Sequence, residues 1–594
     1  MSETDTEVLA RPPGGPVPSR WDALVFGTKV TLLGWRRQFL EWGRSPRRWA
    51  SEPVHTEWPV WAELSAPLWE DGRPDEFLLL AGKVHNLRLV AQALNGVRVP
   101  AGALFSFWRQ VGPARAKRGY VLGREVREGC VVPAVGGGIC QVSNALATAA
   151  VQAGLTLVER HAHTAAVQRA PQRGPQAVDA TLFYPHLDLR IRAEQPWQLE
   201  VWLDAQALHL RVRGPAPAST RRATVLPPVV AARQVPGSQV ARGCLTCNET
   251  NCFRHHPSGA GALAQRAALV VTPSAEWAAH LATEPVDVLA PARSPWRKQP
   301  SLRIVASTWR LWAEAVWQAL RMRTLGRQAG RRQGEVLAGH ARLAAVLARS
   351  LRPLHTRVMV DQALLPHLWR LGVLGGREVT VWAHSLPMAE VQRRLDVAAQ
   401  RWPQWASLHD FRAPPHWLED EWAALRAAQQ VWTPHSAVAQ ALRAAGLSRV
   451  RTVPWQIPVL PSPLPKATVG GWWVIFPASA LPRKGAHWLA QALAGTDAQV
   501  GLLGTPGSEP ALWGGLPVHH LGWHSDWLQR ASVVVLPAVV EHAPRALLQA
   551  VAAGVPVVAS EACGLAEVPG VITMPLDDPA HWRAVLLNTR GSNS

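Results

Sequence analysis

From Trp472 to the end of the chain, short apolar runs alternate with amphipathic stretches. The runs WWVIFPAS, AQVGLLG, VHHLGW, SVVVLP, VPVVAS and GVITMP, opening at Trp472, Ala498, Val518, Ser532, Val555 and Gly570, read as strands. Helical spacing over residues 487–493, 526–530 and 545–553 separates most of them. That order predicts a parallel sheet with helices on both faces, and sheets of this kind bind ligands at the carboxyl ends of their strands. Residues 261–460 repeat the alternation through ALVVTPS at Ala268, RIVAST at Arg303, RVMVDQ at Arg357, EVTVWAHS at Glu378 and QVWTPHS at Gln430. No glycine-rich fingerprint follows Glu378, which argues against a dinucleotide cofactor. The proline- and glycine-rich stretch 458–471 is the expected hinge between 261–460 and 461–594.

A different pattern marks residues 129–163. Three glycines run into Cys140, and Val142, Ala145, Leu146, Ala149, Ala150 and Ala153 follow at near 3.6-residue spacing until Gly154. This predicts a helix that begins at a thiol, with an alternating strand over residues 155–159 behind it. Free backbone N–H groups and the dipole at a helix start favour a thiolate, and side-chain-free glycines allow a ligand close approach. Cys140 is therefore a candidate nucleophile, with His161 or His163 as its base and Asp179 as the orienting carboxylate on the next strand. Periodicity places both histidines on one face and does not choose between them. The alternatives are a polar cluster that holds the loop, or a carbohydrate-binding surface without catalysis.

Composition changes the picture in three ways. A length of 594 residues calls for two to four domains, and 48% hydrophobic with 18% charged residues is globular. A net charge of +20, mostly from arginine, suits nucleotide phosphates, anionic polymers or a membrane surface. No nucleic-acid-binding motif accompanies it, so nucleic acid is not an expected partner. Residues 1–20 read as an acidic, then proline-rich, disordered tail without the pattern of a secretion signal, and no apolar run is long enough to span a bilayer. Cytoplasmic placement is expected. Residues 21–79 form an N-terminal segment whose amphipathic part, 21–49, mixes Trp, Leu and Phe with arginines. It can make peripheral contact with an anionic inner membrane, although packing on its own protein is the favoured reading.

Between the two patterned regions, residues 216–260 hold Cys244, Cys247, Cys252, His255 and His256. The C-x2-C pair with Cys252 and His255 suits a structural Zn2+ in a Cys3His tetrahedron, with an iron–sulfur cluster as the alternative.

The runs KVHNLRLVAQALNGVRVPAGALFSFWRQVG from Lys83, GGGICQVS from Gly136, ERHAH from Glu159 and VDATLF from Val178 resemble the VanW family, over about residues 80–215. The resemblance implies a link to the cell envelope and to vancomycin-resistance accessory proteins, without a settled reaction. Leu146-Ala147 departs from it, where an aromatic often follows the leucine. The second half resembles group 1 glycosyltransferases through PRKG at Pro482, LLG at Leu502, LGW at Leu521 and EHAPRALLQAVAAGVPVVAS from Glu541. The implied fold class is α/β, a VanW-like α+β domain followed by a GT-B-like pair of Rossmann domains, the first taking the acceptor and the second the donor. The resemblance implies a nucleotide-diphosphate sugar as donor. Glu541 would contact its sugar, Lys484 a phosphate and Gln549 the ribose, with Gly504, Pro544 and Arg545 around the diphosphate and His384 on the acceptor side. Two departures stand out: Gln549 replaces the family's glutamate, and Ser479 stands near the family's arginine, for which Arg483 is the candidate substitute. The function expected is hexosyl transfer to a glycan or lipid-linked envelope precursor. The alternatives are a non-catalytic binding scaffold, or acyl transfer by Cys140.

Overall fold

Strand direction changes along the chain. The structure, a computed structural model, describes residues 46–69, 77–127, 130–162, 178–215, 332–460, 470–507, 510–524 and 526–591, with scattered residues of 21–41 and 266–320. These fall into two compact units: Met1–Arg266 with the short pieces Arg352–Thr356 and Gly372–Arg377, and the remainder from Ala267 to Ser594.

The first unit is antiparallel in every described strand pair. Its strands are β1 (Val60–Pro67), β2 (Arg98–Val99), β3 (Leu104–Ser106), β4 (Leu122–Arg127), β5 (Cys130–Val135), β6 (Thr156–Glu159), β7 (Arg190–Arg192), β8 (Trp197–Leu203) and β9 (Ala207–Arg213). They form a sheet in the order β1-β9-β8-β2, a smaller sheet β3-β7-β6 and the hairpin β4-β5. Strands β8 and β9 alternate buried and half-exposed positions, as expected of a sheet with one covered face. Asp204 closes their turn by accepting from the Gln206 and Ala207 N–H groups at 2.8 and 2.7 Å. The helix Phe77–Leu94 covers this sheet with Val84, Leu87, Val90 and Leu94, all fully buried. The helix expected after the glycines runs from Cys140 to Gln152 and buries Leu146, Ala149 and Ala150.

The second unit carries two six-stranded sheets. The first contains β10 (Arg266–Val270), β11 (Val286–Leu289), β12 (His355–Asp361), β13 (Glu378–Trp382), β14 (Gln430–Thr433) and β15 (Val450–Thr452), in the order β11-β10-β12-β13-β14-β15. The other contains β16 (Trp473–Phe476), β17 (Gln499–Leu502), β18 (Val518–His520), β19 (Val533–Leu536), β20 (Val557–Ser560) and β21 (Val571–Met574), in the order β18-β17-β16-β19-β20-β21. All five pairings of this last sheet are parallel. Its central strands are buried throughout because helices occupy both faces, so they read in sequence as uninterrupted apolar runs. All six strands and the three helices expected in this region are present. The α/β class expected from the sequence therefore holds, with an antiparallel α+β unit preceding two doubly wound sheets. Strand β11 matches none of the apolar runs expected as strands, and the run at Arg303 and residues 461–469 of the hinge lie outside the described residues.

Candidate functional site

In the sheet β18-β17-β16-β19-β20-β21, the chain leaves β16 in one direction and β19 in the other. The crevice above these two neighbours is the topological switch point, where open parallel sheets take their ligands. Two loops reach it. After β16, the turn Pro482–Lys484 ends at Gly485, which has a φ of 80° and whose absent side chain would collide with the Pro537 carbonyl. Only glycine fits there, and this fixes Lys484 against the loop that follows β19. That loop delivers Glu541, and Lys484 Nζ donates to Glu541 Oε2 at 2.6 Å. The other carboxylate oxygen accepts from the His542 and Ala543 N–H groups at 2.8 and 3.2 Å.

Burial opposes the charge on Glu541, but the Lys484 ammonium and these backbone donors outweigh it and hold the carboxyl at about 2. At neutral pH Glu541 is therefore an acceptor for hydroxyl groups and a poor proton donor. Among the described residues Lys484 gives one hydrogen, to Glu541, which leaves two ammonium donors for an anion.

Two histidines absent from the sequence-based candidates join this cluster. His435 is fully buried after β14; its Nε2 donates to the Glu541 carbonyl at 3.1 Å and its Nδ1 accepts from the Val438 N–H at 3.4 Å. Burial keeps it neutral, down at about 4. Gly564, with a φ of 65°, lies flat against this ring, which leaves no room for a side chain. His542, next to Glu541, is held at about 3 by burial and by Lys484, and its buried Nδ1 has no hydrogen-bond partner among the described residues. Its position directly after Glu541 was the only sequence signal for it.

Arg545 opens the helix Arg545–Ala552 behind Pro544, and its guanidinium makes a two-pronged ion pair with the fully buried Glu276, one contact being 2.7 Å. Arg483 lies over the Phe411 ring at 4.9 Å. Gly504 packs backbone on backbone: its N–H donates to the Ala478 carbonyl at 3.1 Å, and any side chain would strike Ser479. Ser479 Oγ accepts from the Thr505 N–H at 3.2 Å, so a loop-closing hydroxyl occupies the place near which the arginine was expected. Gln549 is exposed on the helix. His384 follows β13, with Nδ1 3.7 Å from Asp361 Oδ1, and acts electrostatically on both His435 and His542.

In the first unit Cys140 is the first helical residue, partly buried against the core. The arrangement expected around it is corrected in two respects. Strand β6 ends at Glu159, so His161 lies beyond it, and Asp179 lies outside any strand. The reason is that side chains take the backbone groups a neighbouring strand would need. Asn144 Oδ1 accepts from the Ala180 N–H at 2.7 Å, Ser143 Oγ donates to the Ala180 carbonyl at 2.5 Å, and Thr148 Oγ1 accepts from the Val178 N–H at 2.9 Å. The carboxylate beside His161 is Glu159, 3.1 Å from Nε2, and no hydrogen bond joins His161 to Cys140. The glycines have a packing explanation. Side chains on Gly123 and Gly137 would each strike the other's backbone, and Gly138, with a φ of 97°, lies against the Lys83 stem. His163 and the Cys244, Cys247, Cys252, His255 cluster lie outside the described residues. Among the described residues no His, Cys, Asp and Glu group is placed to hold a metal ion.

Residues 82–213 match the family model described as VanW like protein, and residues 473–588 the model described as Glycosyl transferases group 1. The chain is 31% identical over 144 residues to the vancomycin B-type resistance protein VanW of Enterococcus faecalis, covering 24% of this chain and 52% of that protein. It is 36% identical over 108 residues to the uncharacterized protein YoaR of Bacillus subtilis, covering 18% and 34%. The chain thus spans about half the length, or less, of these curated relatives. Among solved structures, sucrose-phosphate synthase of Thermosynechococcus elongatus gives a TM-score of 0.36 at 17% identity, over 55% of this chain and 93% of that one. Anabaena HepE in complex with UDP and glucose gives 0.29 at 15%, over 54% and 81%. The chain therefore carries a VanW-like domain and a group 1 glycosyltransferase domain.

Proposed function

We propose that the second unit binds a nucleoside-diphosphate sugar at the β16/β19 switch point and transfers the sugar to a glycan or lipid-linked precursor of the cell envelope. The group 1 glycosyltransferase domain supports glycosyl transfer in general. The observation that carries the finer reading is the Lys484–Glu541 pair at the mouth of that crevice. Lys484 supplies its two remaining donors to the diphosphate, and the first turn of the helix that opens at Arg545 adds the positive end of a dipole. Glu541 accepts from sugar hydroxyls, Gln549 from and to the ribose, and the tight loop at Gly504 lets the nucleotide approach the backbone. Arg483 lies close enough to add charge near His542. In transfer, the bond from the anomeric carbon to the diphosphate breaks and one to an acceptor oxygen forms. The acceptor's proton leaves toward a base on the His384 side, while cations and helix dipole stabilise the departing diphosphate. In this reading residues 261–460 hold the acceptor, 461–594 the donor, and 80–215 form a separate VanW-like domain.

A second reading, a binding scaffold without turnover, is favoured by Ser479, whose hydroxyl is committed to Thr505 where a cation was expected. Incubation with a panel of UDP-, GDP- and ADP-sugars separates the two. Release of nucleoside diphosphate supports the transferase; saturable binding with no release supports the scaffold; neither removes both.

A further inference from the structure

The segment 21–49 contains six basic and two acidic residues and four tryptophans. Within it residues 31–37 and 39 are helical, and the Glu41 N–H donates to the Arg37 carbonyl at 3.0 Å. One face of this helix is fastened to the first unit. Gly34 is buried, with Pro185 close enough that a side chain there would sit only 3.0 Å from its ring. Arg37 donates to both oxygens of Glu159 at 2.9 and 2.7 Å and to Glu41 at 2.8 Å, and Glu41 in turn pairs with Arg190. Positions 34, 37 and 41 are spaced three and four apart, so they share one face.

The opposite face is apolar. Leu32, Trp35 and Phe39 are 55%, 65% and 73% exposed, Arg36 is exposed among them, and Arg47 and Arg48 are exposed just beyond. A surface helix of a globular protein ordinarily does the reverse, with its apolar stripe inward and its charges outward. Here ion pairs hold the inner face and aromatic rings point out. Aromatic and leucine side chains flanked by arginines are the composition that settles at the boundary between lipid headgroups and acyl chains.

We infer that this helix docks the chain on an anionic lipid bilayer, with Leu32, Trp35 and Phe39 entering the interface and Arg36, Arg47 and Arg48 meeting lipid phosphates. The occupant is chosen by charge and area. Two copies meeting through this face would bring their arginines together, and three side chains are far less than the roughly 800 Å² per partner of a stable protein interface. No helix among the described residues is long and apolar enough to cross a membrane, so the contact is peripheral.

The test is flotation of the full chain with phosphatidylcholine vesicles and with vesicles containing about a third phosphatidylglycerol. Binding is expected to the anionic vesicles and to weaken as salt is raised. The pair Trp35→Ser with Phe39→Ser, and separately the triple Arg36→Glu, Arg47→Glu, Arg48→Glu, should each lower the partition coefficient about tenfold or more. Thermal melts identical to the parent show that both variants are folded. Failure to float with either vesicle, equal binding by parent and both variants, or a concentration-dependent dimer lost in Trp35→Ser without flotation would each overturn the inference.

Discussion

Two glutamates, the half-buried Glu159 in the first unit and the buried Glu541 in the second, are both held at about 2 against the effect of burial, yet their surroundings differ. Glu159 is saturated by its own neighbourhood: His161, Arg37 and Arg190 crowd its oxygens, and the Asp188 N–H donates at 3.1 Å. Its partners come from several segments of one unit, and the Arg37 and Arg190 contacts tie those segments together. Glu541 answers to one flexible ammonium and two backbone donors, and the cation that pairs with it has hydrogens to spare. It also stands at the one place in its sheet where the topology opens a crevice. A depressed carboxyl does not by itself mark a site, since structural ion-pair networks produce the same shift. Unused donors at a topological opening are the better sign.

Breaking each cluster in turn gives the largest effects. Lys484→Met leaves Glu541 buried without its counterion and should cost about 3 kcal/mol of stability in urea unfolding, with donor kcat/KM falling about a hundredfold or more. Glu159→Gln should cost a similar amount of stability, because Arg37 and Arg190 lose a shared partner, while leaving donor turnover per folded molecule unchanged. A turnover loss in the folded Glu159→Gln protein would collapse the distinction.

The glycine loop sharpens the comparison further. Gly137→Ala places a methyl against the Gly123 backbone, which cannot yield as a side chain can, and should cost about 2–4 kcal/mol. Gly138→Ala meets the flexible Lys83 stem and mainly carries the strain of a positive φ, about 1–2 kcal/mol. Equal, negligible effects at both positions would return these glycines to a purely ligand-facing role.

Titration separates two groups of opposite sign within the second unit. His435, held at about 4, refuses protons that an unfolded imidazole takes up below 6.5, so its contribution to stability falls as pH drops from 6.5 toward 4. Glu421 is fully buried, accepts from the Gln362 amide at 3.0 Å and the Met388 N–H at 2.7 Å, and burial raises it to about 7. The fold therefore keeps a proton that the unfolded carboxyl releases above 4.5, and this stabilisation is fully present below 4.5 and lost as pH rises through 7. Glu421→Gln should raise stability by about 2 kcal/mol at pH 8 and change it little at pH 4.5, measured by urea midpoints at each pH. The smallest effect expected is at the thiol: Cys140→Ala should shift stability by under about 1 kcal/mol and leave sugar transfer unchanged.

How much of this could be read from the residues follows from where the interactions run. Strands such as Val533–Leu536 were legible because a strand covered on both faces shows as an unbroken apolar run, and the helix after Cys140 because its core contacts recur at helical spacing. Lys484 and Glu541 were legible only through motif resemblance, and their bond spans 57 positions. The Arg545–Glu276 pair spans 269, and nothing local in the sequence announces it. His435 lay in a run read simply as strand and loop, although its tautomer is fixed by a carbonyl 106 residues away. Residues 178–182 looked like a strand because alternation reports which side chains are buried, not who satisfies the backbone. Here Asn144, Ser143 and Thr148 do so from a helix.

The most direct test is calorimetric titration of the full chain with UDP and GDP, compared with Lys484→Met and Glu159→Gln. Saturable binding of at least one diphosphate by the parent is expected, with a loss of about tenfold or more in Lys484→Met and none in Glu159→Gln. Failure of the parent to bind either diphosphate, or equal affinity in Lys484→Met, would contradict a donor site at the β16/β19 crevice.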